Sequence, residues 1–143
     1  MSTPFSNIYI KANVLFEDAK LLAILSQEEY EELLEIFLSK SKSIYFKKCK
    51  KDLNDTDNIL KQFNEILSEE EEWILAEGMR LTWYERQLYK EEKLRDKMTT
   101  KDYNSSHSQA NLINELTALK NDTLKQLNSL VVDYSFNDFK GFN

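Results

Sequence analysis

The densest run of apolar positions in the chain lies between Ser68 and about Met98. It opens with a capping box, in which the Ser68 hydroxyl and the Glu71 carboxylate satisfy free backbone N–H groups of a helix's first turn. From Trp73 to Tyr84 the apolar residues are too dense for one narrow stripe, so we expect neighbours to cover the helix over much of its circumference. This stretch predicts a central helix of about 30 residues, roughly 45 Å long at 1.5 Å per residue.

Two further stretches carry apolar residues at the three- and four-residue spacing of an amphipathic helix. One follows a capping box at Ser26 and Glu29, with glutamates in its early turns and lysines in its late turns, as the helix dipole favours. The other follows a third candidate capping box, Ser106 to Gln109, and extends for about 22 residues by its periodicity. Its stripe consists of Leu112, Leu116, Leu119, Thr123, Leu127 and Leu130.

Two segments give less regular patterns. Residues 5–16 fit either a helix or a strand, and residues 51–65 predict a loop or a broken helix. A run resembling a calcium-binding loop begins at Asp52. However, Asp57 stands at the sixth position, where the turn requires glycine, and Phe63 at the twelfth, where a bidentate glutamate belongs. We therefore expect no metal site there.

Near the C-terminus the period of the pattern changes. Residues 132–137 alternate strictly between apolar and polar, which is typical of a β-strand. We therefore predict a helical bundle over residues 1–132 and an extended C-terminal tail over residues 133–143. Tyr134, Phe136 and Phe139 are the predicted partner-binding residues of this tail, which would add a strand to a partner's sheet. The alternative is that these aromatic side chains fold back over the bundle's own core.

Composition supports helices and narrows the possible functions. A chain of 143 residues fits one domain, and its two glycines and one proline are too few for a fold built from tight hairpins. The fold class predicted is therefore all-α, a small helical bundle. The net charge of −6 disfavours a phosphate-binding surface, and one cysteine excludes an intramolecular disulfide. No apolar run approaches a membrane span and no signal peptide is evident, so we expect a soluble, intracellular protein.

Candidate chemistry is sparse. The one histidine, His107, lies between two serines, and Cys49 stands among four lysines that would lower its thiol pKa, although packing is its more frequent role. We interpret Glu69 to Glu72 as a capped, solvated helix end, and Trp73 and Trp83 as core or interface residues. With no phosphate loop and no zinc motif in the sequence, we expect no catalytic site and no cofactor.

Several stretches between about residues 46 and 136 carry a family resemblance. They are FKKCKKDL (46–53), FNEILSEEE (63–71), ILAEGM (74–79), WY (83–84), KDY (101–103), SQANL (108–112) and DYSF (133–136). In these stretches the chain resembles a family of small proteins encoded in the structural-gene region of tailed phages of low-GC Gram-positive bacteria. The resemblance implies a virion protein, of the head–tail connector (neck adaptor) type, that docks under the portal ring.

Such a connector is expected to form a homo-oligomeric ring in the virion, assembled in the host cytoplasm. Its partners would be the portal protein and the next neck or tail-completion protein, with no membrane and no sequence-specific nucleic acid. An acidic lumen would let DNA pass without binding. The alternative from another functional class is a small cytoplasmic helical binding protein, such as a phage-encoded regulator of a host factor.

Overall fold

The computed structural model describes the backbone of residues 2–16, 27–96 and 103–140, and the side chains of residues 2–16, 28–93 and 110–136. Helices dominate these ranges, which also contain a three-stranded sheet of two-residue strands. In chain order the elements are β1 (Thr3–Pro4), α1 (Phe5–Leu15), α2 (Gln27–Lys40), a π-helical turn (Ser41–Tyr45), β2 (Thr56–Asp57), β3 (Gln62–Phe63), the central helix α3 (Glu69–Asp96) and the C-terminal helix α4 (Tyr103–Lys140). Within these ranges no helix combines the length and apolarity that a membrane span requires.

The central helix is the element around which the others pack. Helix α1, helix α2, the π-helical turn and the C-terminal helix all contact it. Every side chain or glycine from Ile74 to Met79 is buried, which accounts for a full turn of the helix and more. The predicted all-α bundle with one long, widely covered central helix is therefore confirmed.

One glycine brings the central helix unusually close to the π-helical turn. A Cβ atom placed on Gly78 would lie 2.0 Å from the Ser41 Oγ and 2.9 Å from the Ser41 Cβ. Ser41 is fully buried, and its hydroxyl donates a hydrogen bond to the Leu75 carbonyl at 2.7 Å. The hydroxyl of Thr82 in turn donates to the carbonyl of Gly78 at 2.8 Å.

The small sheet ties the beginning of the chain to the loop before the central helix. Its strand order is β1-β3-β2 and both pairings are antiparallel, with Phe63 opposite Thr3 on one side and Thr56 on the other. The Thr3 hydroxyl donates to the Glu65 carbonyl at 3.0 Å and accepts the Leu67 N–H at 2.8 Å. Residues 5–16, which fitted either a helix or a strand, form α1 from Phe5 to Leu15.

The C-terminal helix packs along the central helix through a seam whose successive members are three, four or seven residues apart. The seam consists of Ile113, Leu116, Thr123, Leu127, Leu130 and Tyr134. Leu112 and Leu119, which we predicted in this stripe, are instead partly exposed. The helix begins at Tyr103, three residues before the candidate cap Ser106.

The extended conformation predicted for residues 133–143 is wrong as far as residue 140, where the structure ends its description. The C-terminal helix continues without interruption to Lys140 and passes through the proposed boundary at residue 132. A helix satisfies its own backbone N–H and C=O groups, whereas a strand at this place would need a partner strand. The steps from Leu127 to Leu130 and on to Tyr134 also continue the helical seam, so packing favours the helix.

Candidate partner-docking site

The end of the C-terminal helix crosses the loop of residues 46–51 and the first turn of the central helix. On its inner side Tyr134 is buried, and on its outer side Val132 and Phe136 are 50% and 59% exposed. The two outer residues are four positions apart, so they lie on one face of the helix. The same short segment therefore holds the helix to the bundle and presents apolar surface outward.

Tyr134 makes contacts of several kinds on the inner side. Its hydroxyl donates to the Glu71 Oε2 at 2.6 Å and accepts the backbone N–H of Lys50 at 2.9 Å. Its ring packs edge-on against Phe46, with centroids 5.1 Å apart, and the Lys50 Nζ lies 4.6 Å from its ring centroid. The aromatic ring is thus fixed by both polar and apolar neighbours.

Glu71 is the carboxylate on which this cluster converges. The predicted capping box is confirmed, because the Ser68 N–H donates to the Glu71 Oε1 at 2.8 Å and the Glu71 N–H donates to the Ser68 Oγ at 3.1 Å. The Lys51 Nζ lies 3.3 Å from the Glu71 Oε1, and the Cys49 Sγ lies 3.3 Å from its Oε2. We call Cys49, Lys51, Ser68, Glu71 and Tyr134 the Glu71 clamp.

Burial alone would raise the pKa of the Glu71 carboxyl. The hydrogen bonds from Ser68, Tyr134 and Cys49, together with the charge of Lys51, outweigh burial and hold this pKa below its usual value. Glu71 and its neighbour Glu72, which pairs with Lys11 at 3.4 Å, are both buried. Our interpretation of the glutamate run as a solvated helix end is therefore wrong for these two residues.

The thiol of Cys49 is not activated. Burial, with the nearby Glu71 carboxylate, raises its pKa to about 11, although the hydrogen bonds from Lys51 and Tyr134 act in the opposite direction. The surrounding lysines therefore do not lower this pKa, and the partly buried position of Cys49 against the core agrees with the packing role that we favoured for it. Burial and the bond to Glu71 likewise raise the pKa of the Tyr134 phenol. Neither group ionises near neutral pH, so the clamp fixes position and offers no nucleophile.

The outer side of the segment forms a shallow groove of about 220 Å³. Its lining residues are Lys48, Val131, Val132, Ser135 and Phe136. We call this surface the terminal patch. An apolar side chain flanked by an acidic group would suit it, because the apolar floor can bury the side chain while Lys48 pairs with the acid.

The other residues singled out in the sequence lie elsewhere. The side chains of Phe139 and His107 fall outside the described side chains. Asp52 and Asp57 accept hydrogen bonds from backbone N–H groups of their own loop. Among the described residues no three His, Cys, Asp or Glu side chains are grouped as a metal site would require.

Sequence reasoning named Phe136 as partner-binding but missed Val132 and Lys48. The missing signal was the four-residue spacing of Val132 and Phe136, which places both on one face only if the segment is helical. Partner binding by Tyr134, Phe136 and Phe139 stays a prediction, and of these Tyr134 is already engaged within the chain.

No protein-family model, no curated protein and no solved structure matches the chain.

Proposed function

We propose that this chain is a structural protein of a tailed-phage virion, a head–tail connector that docks on the portal ring and helps to join head to tail. The observation that carries the proposal is the terminal patch, an outward apolar surface held in place by the Glu71 clamp. Both lie within residues 46–136, the region that resembles phage structural proteins. Apolar side chains on a rigid support are suitable anchors for a protein partner, because little conformational freedom is lost on binding.

The terminal patch lies mainly on the longest helix that the structure describes. At 38 residues the helix is about 57 Å long. Of the other helices it packs chiefly against the central one. Among the described side chains of this helix, residues 110–136, the outer face includes Val132 and Phe136, which are exposed.

In the proposed assembly several copies form a ring between the portal and the next neck or tail-completion protein. The net charge of −6 suits a conduit, because an acidic lumen repels the DNA that passes through it. The proposed location is the virion, after assembly in the host cytoplasm. The proposal includes no membrane partner and no sequence-specific nucleic acid.

The first test is mass spectrometry of purified virions, together with the position of the gene. We expect the chain in virions at a copy number fitting a ring, and its gene between those for portal and tail proteins. Absence of the chain from virions would contradict the proposal and favour a small cytoplasmic binding protein.

A surface substitution tests the terminal patch itself. Phe136→Asp places a charge in the patch without touching the buried Tyr134, so we expect an unchanged melting temperature. Incorporation into particles should fall by at least about ten-fold, which corresponds to roughly 1.4 kcal/mol of binding free energy. Val14→Asp, at an exposed position of α1, is the matched control and should change neither. Normal incorporation of the Phe136 variant would exclude the terminal patch as the docking surface.

A further inference from the structure

A second apolar feature, which shares no residue with the terminal patch, lies at the turn between β2 and β3. Ile59 and Leu60 occupy this turn and are 92% and 65% exposed. We call these two residues the β2–β3 tip. Most aliphatic side chains with such exposure are isolated on a surface, but here two adjacent ones stand at the outermost point of a loop.

The turn that carries the tip is built rigidly. The Asp57 Oδ1 accepts the backbone N–H groups of Ile59 at 2.9 Å and Leu60 at 3.0 Å. Lys61 has a φ of 55°, and its carbonyl accepts the Phe5 N–H at 2.9 Å. A left-handed residue other than glycine is uncommon, so the surrounding contacts must hold it there. The tip is consequently presented in one orientation.

A groove of about 580 Å³ between α2 and the central helix has the complementary character. Its lining residues are Leu33, Ile36, Phe37, Lys40, Thr82, Glu85, Arg86 and Tyr89. We call it the α2 groove. Lys40 pairs with Glu85 at 3.0 Å, while Arg86 has no carboxylate partner among the described residues. Within the described part of the chain, the groove therefore combines apolar side chains with one arginine that has no carboxylate partner.

The β2–β3 turn and the α2 groove both adjoin α2, but the tip residues Ile59 and Leu60 do not line the groove. Lys61, next to the tip, pairs with Glu35 of α2 at 2.7 Å. About 100° separates successive residues of an α-helix, so Glu35 lies roughly 150° around α2 from the average direction of the four groove residues on this helix, which are Leu33, Ile36, Phe37 and Lys40. Ile59 and Leu60 are themselves exposed and neither lines the groove of its own chain, so a tip seated in an α2 groove would come from a second copy.

We propose that the β2–β3 tip of one copy docks into the α2 groove of the next copy. The loop carrying the tip is acidic, with Asp52, Asp55 and Asp57, and this charge complements Arg86 at the rim of the groove. An apolar projection and a complementary pocket elsewhere on the same molecule make a head-to-tail contact, which closes into a ring or extends into a filament. The inference names the subunit contact of the proposed ring and rests on that function.

Disulfide trapping between separate chains tests the contact directly. In a Cys49→Ser background, one chain carries Leu60→Cys and a second, tagged chain carries Tyr89→Cys, both at exposed positions. After mixing and mild oxidation, we expect the mixed dimer to form at a yield about ten-fold above that of a control pair, because docking raises the local thiol concentration. The control pair combines Leu60→Cys with Val14→Cys, which lies outside the groove, and circular dichroism verifies that each variant is folded.

A mixed-dimer yield no higher than that of the control pair would overturn the inference. Arg86→Glu in the tagged chain provides a second measurement, and we expect it to lower the yield because it repels the acidic loop. An unchanged yield would exclude the charge complementarity on which the choice of groove depends. Virions that contain the chain without the cross-link would refute this contact alone, whereas a cross-linked chain absent from virions would refute the connector function alone.

Discussion

The central helix and the C-terminal helix are both long, but neighbours cover them in different ways. Between Ile74 and Met79 the central helix is buried on all sides. The C-terminal helix buries one seam and exposes residues in every turn between, including Leu112 and Phe136. The central helix therefore depends on several elements at once, whereas the C-terminal helix depends mainly on the central one.

Because of this difference, the two helices contribute differently to stability and to the exposed surface. Loss of packing around the central helix should lower the stability of the whole bundle, since the other helices pack against it. Loss of a contact at the end of the C-terminal helix should loosen that end first. A surface intended for a partner is better placed on the second kind of helix, because its outer face is not needed for the core.

The largest expected effect compares two tryptophans of the central helix. Trp83 is 7% exposed and packs against Phe16 and Tyr84, with ring centroids 5.9 and 5.2 Å away, whereas Trp73 is 37% exposed beneath the Lys11 ammonium. Trp83→Ala should lower the free energy of unfolding by about 3–5 kcal/mol, the usual range for a buried large aromatic. Trp73→Ala should lower it by about 1 kcal/mol.

Chemical denaturation of the two variants, followed by circular dichroism, measures the loss in the free energy of unfolding for each. Equal losses would show that the two faces of the central helix are covered alike. A small loss for Trp83→Ala would place this residue in a region that repacks easily.

The next effect concerns the Glu71 clamp. Tyr134→Phe removes a buried hydroxyl that donates to the Glu71 carboxylate, and a hydrogen bond to a charged group contributes about 1.5–3 kcal/mol. Hydrogen exchange should show faster opening of the C-terminal helix around Tyr134 while the central helix stays protected. Tyr89→Phe, at an exposed position, is the control and should change neither the stability of the protein nor the hydrogen exchange of the two helices. Equal acceleration in both helices would contradict the division between them.

The same variant has a predictable pH dependence. The pKa of Glu71 is lowered in the folded state, so its stabilising contribution is present above the unfolded pKa and is lost as the pH falls through the folded pKa. Tyr134→Phe removes one cause of the lowered pKa. Its destabilisation should therefore be largest near neutral pH and should shrink as the pH falls below 4.5, the ordinary pKa of a glutamate carboxyl. Thermal melts of the variant and of the unaltered chain at a series of pH values measure this change. A destabilisation that does not depend on pH would show that Glu71 is not coupled to Tyr134.

The sequence was sufficient for the central helix, but it left α1 open between a helix and a strand and did not give the ends of the C-terminal helix. The central helix was evident because its apolar density and its capping box agree, and both are local features. The alternating pattern after Val132 was misleading, because residues at steps of three and four also include Tyr134. Two periods fitted the same six residues, and contact with the central helix decided between them.

The Glu71 clamp could not be predicted, since its members come from distant parts of the chain. Cys49, Glu71 and Tyr134 are far apart in sequence but lie within hydrogen-bonding distance of one another. The neighbouring lysines in the sequence therefore did not predict the pKa of the Cys49 thiol. Its pKa depends on burial and on a carboxylate 22 positions away.

The smallest expected effect probes how closely the central helix is covered. Gly78→Ala gains about 0.5–1 kcal/mol from the better helix propensity of alanine, but overpacking of a core typically costs about 1–3 kcal/mol. The new methyl group would lie 2.0 Å from the Ser41 Oγ, and Ser41 is itself buried and bonded to the Leu75 carbonyl. We expect a net loss of about 1 kcal/mol in the free energy of unfolding.

A double-mutant cycle isolates the cause of this loss. Ser41→Gly removes the Oγ and Cβ, the two atoms that would lie closer than 3.0 Å to the new methyl group, and leaves only the Cα at an ordinary contact distance of 3.4 Å. Adding Gly78→Ala to this variant should therefore be neutral or stabilising. The opposite sign of the same substitution in the two backgrounds would assign its cost to the contact with the π-helical turn. If Gly78→Ala instead stabilises the otherwise unaltered chain, the central helix and the π-helical turn can move apart at little cost. The central helix would then be less tightly enclosed than its burial indicates, and the contrast with the C-terminal helix would be weaker.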